Sequence, residues 1–220
     1  MDLLKKRRHT VPIENEGHSL LLFNIDWQAY EGLRAALPEK PAHITYDRGT
    51  LEIMVPSTVH ERFKHLFGPL LLILAEVFQK PLGGFGSFTH QRKDILRGIE
   101  PDPCFYLENL KAVLGKERID LTRDPPPDLA IEVEISRSAL DRMGIYAALG
   151  VPEVWRFRRK SLKVFLLQDG RYQQSKTSPT FPLVPIAKLA MFLEVGFTKG
   201  DMAMARSLPT WAEKLARSPS

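Results

Sequence analysis

Cysteine is almost absent from this sequence: among 220 residues there is one, Cys104. A lone thiol can form neither an intrachain disulfide nor a thiolate metal cluster, and its scarcity fits a reducing, cytoplasmic setting. Cys104 itself reads as a small buried hydrophobe on a strand. Long apolar runs are also missing. The most apolar stretch, Leu66 to Phe78, is too short to span a bilayer and contains Pro69, so it reads as a buried helix and no membrane partner is expected. The opening MDLLKKRRHTVP has no apolar segment behind its basic run, which excludes a secretory signal. His60 and His65 do not stand at a usual zinc spacing. No segment repeats.

What is present is ordinary for a globular α/β chain. Hydrophobic residues make up 44%, enough for the core of one domain with a small N-terminal subdomain, and charged residues 26%, which argues against long disorder. The net charge is +5 and the isoelectric point about 9.3, a mildly basic balance that fits a polyanion such as nucleic acid. The N-terminal LKKRRH reads as a solvated arm, with phosphate contact as the alternative.

Along the chain, Asp26 can cap a helix whose Trp27, Tyr30, Leu33 and Leu37 share a face. HITYDRGTLEIMV reads as a β-hairpin turning at Asp47-Arg48-Gly49. Ser57 or Thr58 can cap a helix running through Leu66, Leu70, Ile73, Leu74 and Val77, with a kink expected at Pro69. SFTHQR and EPDPCFYLEN read as strands, with KDILRG a short turn between them. DLAIEVEI alternates: Leu129, Ile131, Val133 and Ile135 point one way, Ala130, Glu132 and Glu134 the other. SALDRMGIYAALG is an amphipathic helix with Ser138 as its expected N-cap and Gly150 as its stop. VPEVWRFR and SLKVFLLQ are two strands around the basic turn Arg158, Arg159 and Lys160. Arg171 to Ser178 reads only as polar chain, and helices are expected at Ile186 to Leu193 and around Trp211. A strand–helix–strand unit at 129–135, 139–149 and 153–158 implies a right-handed crossover and a parallel pair.

Two acids stand out by position. Asp102 sits between two prolines at the mouth of an apolar strand, and Glu132 lies inside an aliphatic one. An ionised group on a central strand is costly unless paired or metal-bound. Glu134 shares the face of Glu132, and two carboxylates one pleat apart repel each other, a conflict that Mg²⁺ would remove. Half-exposed edge charges or salt-bridge partners are the plainer alternative. Gln91, Arg92, Lys93 and Arg97 either track a phosphate backbone or form a solvated basic surface.

EPDPCFYL, DLAIEVEIS and ALDRMGIYAALGVPEVWRFR, together with YDRGTLEIMVPS, HERFK and GSFTHQRKDILRGIEPD, carry a resemblance. Over roughly residues 25 to 160, the chain resembles the bacterial restriction-endonuclease family once grouped as a domain of unknown function, a branch of the PD-(D/E)XK nuclease superfamily. The resemblance implies an α/β fold: a restriction-endonuclease-like mixed β-sheet flanked by helices, with an αβββαβ core and an N-terminal helix and hairpin. It implies an endonuclease hydrolysing phosphodiester bonds in nucleic acid, DNA being the expected substrate, with Mg²⁺ or Mn²⁺ as cofactor. Pro101-Asp102 falls on the superfamily's proline-aspartate and Glu132 on its second acid, while Glu61 matches an acid of the first core helix. Metal ligation then falls to Asp102, Glu132 and Glu134, catalysis to Asp102, Glu132, Arg142 and Glu61, and nucleic-acid contact to Arg92, Lys93 and Arg97.

One departure bears on activity. The signature's lysine, two residues past the second acid, is Glu134 here, and the basic residue of this branch falls on Arg142, one turn before Tyr146. The resemblance implies that relatives usually carry lysine there. Arginine can clamp a phosphate in a bidentate way but cannot take a proton from water. A nuclease-fold module that binds nucleic acid or protein without cutting is therefore the alternative. The expected layout is an arm at 1–18, the nuclease-like domain at 19–200 and a C-terminal helix at 201–220. By analogy, a homodimer is expected.

Overall fold

The computed structural model describes residues 18–37, 42–86, 89–135, 138–158 and 160–217. The basic arm expected at the N-terminus, Arg159 of the basic turn and the last three residues lie outside the described residues.

The first half of the chain forms an antiparallel sheet. β1 (His18–Leu22) precedes α1 (Trp27–Ala36), which Asp26 caps by accepting the Ala29 amide at 2.7 Å. β2 (His43–Asp47) and β3 (Thr50–Val55) pair antiparallel in the expected hairpin. Its turn residues Arg48 and Gly49 both have positive φ, 47° and 96°, the type I′ requirement that makes glycine suitable there. β5 (His90–Arg92) and β6 (Arg97–Ile99) complete a sheet of order β1-β3-β2-β6-β5. Between the two halves runs α2 (Thr58–Val77), capped by Ser57 and continuous through Pro69.

The second sheet is mixed and has the order β11-β10-β9-β8-β7-β4. Its strands are β4 (Gly83–Gly84), β7 (Cys104–Tyr106), β8 (Leu129–Glu134), β9 (Glu153–Arg158), β10 (Ser161–Gln168) and β11 (Arg171–Ser175). A short α3 (Leu110–Val113) follows β7. α4 (Arg142–Ala148) crosses from β8 to β9, which run parallel as the strand–helix–strand pattern requires. α5 (Leu189–Lys199) and α6 (Asp201–Arg217) end the chain.

Helices cover both faces of this sheet. Leu129, Ile131, Val133, Trp155, Phe157, Leu162 and Val164 meet α2, α5 and α6 on one side. Ala130 and Val154 meet Ile145 and Tyr146 of α4 and Leu149, its C-cap, on the other. The first sheet packs Ile44, Tyr46 and Leu51 against Trp27 and Tyr30 of α1. Its opposite face carries the polar His43, Thr45 and Glu52, all buried, which turn toward α4 and α2. Among the described residues no helix is long and apolar enough to cross a membrane.

Three local expectations change. The N-cap of α4 is Asp141, which accepts the Gly144 amide at 3.0 Å, whereas Ser138 donates to Glu52 at 2.5 Å. Arg171–Ser175, expected only as polar chain, is an edge strand paired with β10. Asp169 and Gly170, with φ of 48° and 75°, supply its hairpin turn, but a strand with few apolar side chains leaves little alternation to read. β1 likewise adds an edge strand where the sequence has no turn signal.

Candidate active site

The alternation of β8 turns Glu132 toward α4, away from the aliphatic core. The first residue of α4, Arg142, donates from Nε to Glu132 Oε1 at 2.5 Å, and Tyr146, one turn on, donates its hydroxyl to Oε2 at 2.9 Å. Helical spacing of four residues is what lets both reach one carboxylate. Arg142 also donates to Thr45 Oγ1 at 3.0 Å and to the Glu100 carbonyl at 3.3 Å, so strand β2 and the segment after β6 fix its far end. Burial pushes the Glu132 carboxyl up, and the nearby charge of Asp102 adds to that, against the pull of Arg142. Burial disfavours the Arg142 charge, but Glu132 outweighs it and keeps the guanidinium charged.

Asp102 comes from the segment joining β6 to β7. Its Oδ2 accepts the Val133 amide at 2.8 Å, extending the ladder along β8 beyond its last pair with β7. Its Oδ1 is buried and has no hydrogen-bond partner among the described residues. His60, in the first turn of α2, lies with Nε2 3.3 Å from Asp102 Oδ2 and Nδ1 3.3 Å from Glu61 Oε1. Lys64 reaches the other oxygen of Glu61 at 3.4 Å. The polar face of β2 adds His43, whose pKa burial pushes down.

His60 and Asp102 set a pH window for stability. Burial disfavours the His60 charge, but Asp102 and Glu61 raise its pKa to about 9. Burial pushes Asp102 up, but His60, Arg142 and the Val133 amide hold it at about 2. The histidine contribution is complete below its ordinary 6.5 and is lost as pH climbs through about 9. The aspartate contribution is complete above its ordinary 3.8 and is lost as pH falls through about 2. Stability from this pair, up to about 3 kcal/mol, is therefore greatest from about pH 4 to 6.5. Urea midpoints of wild type and His60→Gln should differ most at pH 6 and converge by pH 10, and a constant gap would refute the pairing.

A cavity of about 300 Å³ opens against the cluster, lined among others by His60, Glu132, Glu134, Arg142, Arg156 and Arg158. Glu134 is held at its rim by Arg158 at 3.3 Å and Arg156 at 3.9 Å, and Glu61 is about half-exposed at the start of α2. Arg92, Lys93 and Arg97 do not line it; they lie at the β5–β6 turn, where Arg97 also donates to the Gly144 carbonyl of α4 at 3.4 Å. There Arg92 binds Asp94 at 3.0 Å, which offsets its charge, and Arg97 binds Asp47 at 2.9 Å, a carboxylate it shares with Arg48. Sequence reasoning assigns no site role to His43, Thr45, Glu52 or His60; the signal available for the first two is the polar alternation of His43, Thr45 and Asp47 opposite Ile44 and Tyr46.

The donor set bears on which cation could fit. Among the described residues no three of His, Cys, Asp or Glu converge as a metal group, which speaks against a zinc-type cage. Mg²⁺ and similar hard cations need only one or two carboxylates and keep several waters. Asp102 offers the partnerless Oδ1, and each Glu132 oxygen carries one hydrogen bond of the roughly two it can accept. These two acids fit such a cation, with Arg142 competing for Glu132.

The comparisons with known proteins agree with this architecture. The family model Uma2, described as a putative restriction endonuclease, matches residues 27–204. The crystal structure of a putative nuclease belonging to DUF820, from Anabaena variabilis ATCC 29413, is similar in fold. It has a TM-score of 0.50 and 16% identity, and the match covers 72% of this chain and 96% of that one. No curated protein matches the chain.

Proposed function

The chain belongs to the Uma2 family of restriction-endonuclease-like proteins, and from that premise we propose that it hydrolyses phosphodiester bonds in nucleic acid, with Mg²⁺ or Mn²⁺ held by Asp102 and Glu132. The observation that carries this reading is a pair of buried acids: Asp102, with an oxygen that has no hydrogen-bond partner among the described residues, lies close enough for its charge to act on Glu132, and Glu132 lines a cavity that Arg142, Arg156 and Arg158 line as well. When bound, the cation supplies an activated water and neutralises charge on the phosphorus oxygens. Arg142 holds Glu132 in place and remains protonated, so it contributes charge and not a base. His60 orients Asp102 and, with Glu61 and Lys64, ties that carboxylate to α2. DNA is the substrate proposed.

One observation favours a second reading, binding without cleavage: Glu132 is already neutralised by Arg142. Plasmid, single-stranded DNA and RNA, each incubated with Mg²⁺ or Mn²⁺, separate the two, alongside calorimetric titration with Mn²⁺. Cation-dependent cleavage supports the first reading. Nucleic-acid binding with neither cleavage nor Mn²⁺ uptake supports the second and sinks the first.

A further inference from the structure

The polynucleotide path that the sequence suggests runs over Arg92, Lys93 and Arg97, none of which lines the cavity; Asp94 offsets Arg92, and Arg97 shares Asp47 with Arg48. A different basic surface adjoins the cavity. In the parallel pairing of β8 and β9, Glu132 stands opposite Arg156, and Glu134 opposite Arg158. In the antiparallel pairing of β9 and β10, Arg156 stands opposite Lys163, and Arg158 opposite Ser161. Directly paired residues share a face of the sheet. One row, Glu132–Arg156–Lys163, therefore leads from the buried acids across two strand spacings, about 10 Å, to the exposed Lys163.

α4 covers this face at its Val154 end, where Val154 packs with Ile145 and Leu149. Beyond the helix, Arg158 and Lys163 are exposed and Arg156 is half-buried. The Arg156 guanidinium lies 4.6 Å over the Phe165 ring, a contact that reduces the entropy lost when it meets an anion. Glu134 serves both arginines, and Lys163 has no ion pair among the described residues. Three cations against one carboxylate leave two positive charges on this lip. The opposite lip carries Asp141, which is engaged in capping α4.

We propose that the β9–β10 face carrying Arg156, Arg158 and Lys163 is the track that seats the phosphate backbone of a nucleic acid and leads it to the cavity. The inference rests on the nucleic-acid reading above but not on cleavage. A scissile phosphate near Glu132 and Arg142 requires neighbouring phosphates to lie along the surface next to it, and this face supplies separate cations at strand spacing.

The test is fluorescence polarisation of labelled duplex DNA, single-stranded DNA and RNA in EDTA, from 50 to 200 mM salt. Arg158→Ala/Lys163→Ala removes two exposed contacts, and a thermal melt verifies its fold. Each phosphate contact contributes about 0.9 to the salt slope on duplex DNA, so at 0.1 M salt the variant should bind roughly sixtyfold more weakly, with a slope shallower by about 2. Lys163→Glu should weaken binding further than Lys163→Ala. The inference is overturned if wild type binds and Arg158→Ala/Lys163→Ala stays within about threefold at unchanged slope, above all if Arg92→Ala/Lys93→Ala loses affinity instead. Failure of wild type to bind any of the three ligands would overturn the nucleic-acid reading along with it.

Discussion

Replacing Arg142 with methionine should lower folding stability by about 3–5 kcal/mol, because it strands the buried Glu132 charge. Both side chains are largely removed from solvent, so water cannot take over the carboxylate that the guanidinium serves. The loss should be much larger than that of an exposed pair such as Arg217 and Glu213, where breaking the contact costs about 0–1 kcal/mol. Methionine keeps comparable bulk and leaves Tyr146 hydrogen-bonded to Glu132, so the cost isolates the missing charge. Glu132→Gln in the same background should recover most of it, since a neutral amide no longer needs a cation and can still accept from Tyr146. Urea denaturation of the two single variants and the double variant gives the coupling directly. An Arg142→Met loss below about 1 kcal/mol that stays constant with pH would mean that the pair is solvated, whereas a loss that grows as pH rises would mean that Glu132, pushed up by burial, takes a proton once the guanidinium is gone.

Asp102→Asn should abolish cation-dependent cleavage, lowering it at least about a hundredfold, and should weaken Mn²⁺ uptake by about 10- to 100-fold. The amide oxygen can still accept the Val133 N–H, so the ladder along β8 survives and the stability cost stays near about 1–3 kcal/mol. What disappears is the ionised oxygen that no donor among the described residues satisfies. The change has a readout independent of activity. His60 loses its main anionic partner, so its titration, followed by NMR, should fall from about 9 toward 6.5. Cleavage that persists in Asp102→Asn would remove the acid from the reaction while leaving its link to His60 intact.

Much of the site is legible in local pattern. Strand alternation puts Glu132 opposite Ile131 and Val133, and helix spacing puts Arg142 and Tyr146 on one face of α4. The prolines around Asp102 mark it as a fixed position at a strand entrance. The acid of β8 and the arginine of α4 are only ten residues apart, joined by the short connection into the crossover helix. His43, Thr45 and Glu52 are a different case. Each comes from the distant hairpin, and Thr45 meets Arg142 across 97 positions of sequence. Polar residues alternating on a hairpin ordinarily face water, and nothing local reveals that a second sheet covers them.

The same division holds for the whole molecule. Period-two and period-3.6 hydrophobicity, capping residues and glycine turns were enough for the longer helices, the hairpin and the parallel β8–β9 pair, because those depend on neighbours within a few residues or one crossover, while the family resemblance rested on the ordered motifs around Asp102, Glu132 and Arg142. Which strands join which sheet, how β1 and β11 close the edges, and that Asp102 is bound by His60 while Glu132 is bound by Arg142, came only with the tertiary structure. Ion pairing depends on side chains converging to within a few ångströms, and chain order does not encode that distance until the two sheets and α2 are packed together.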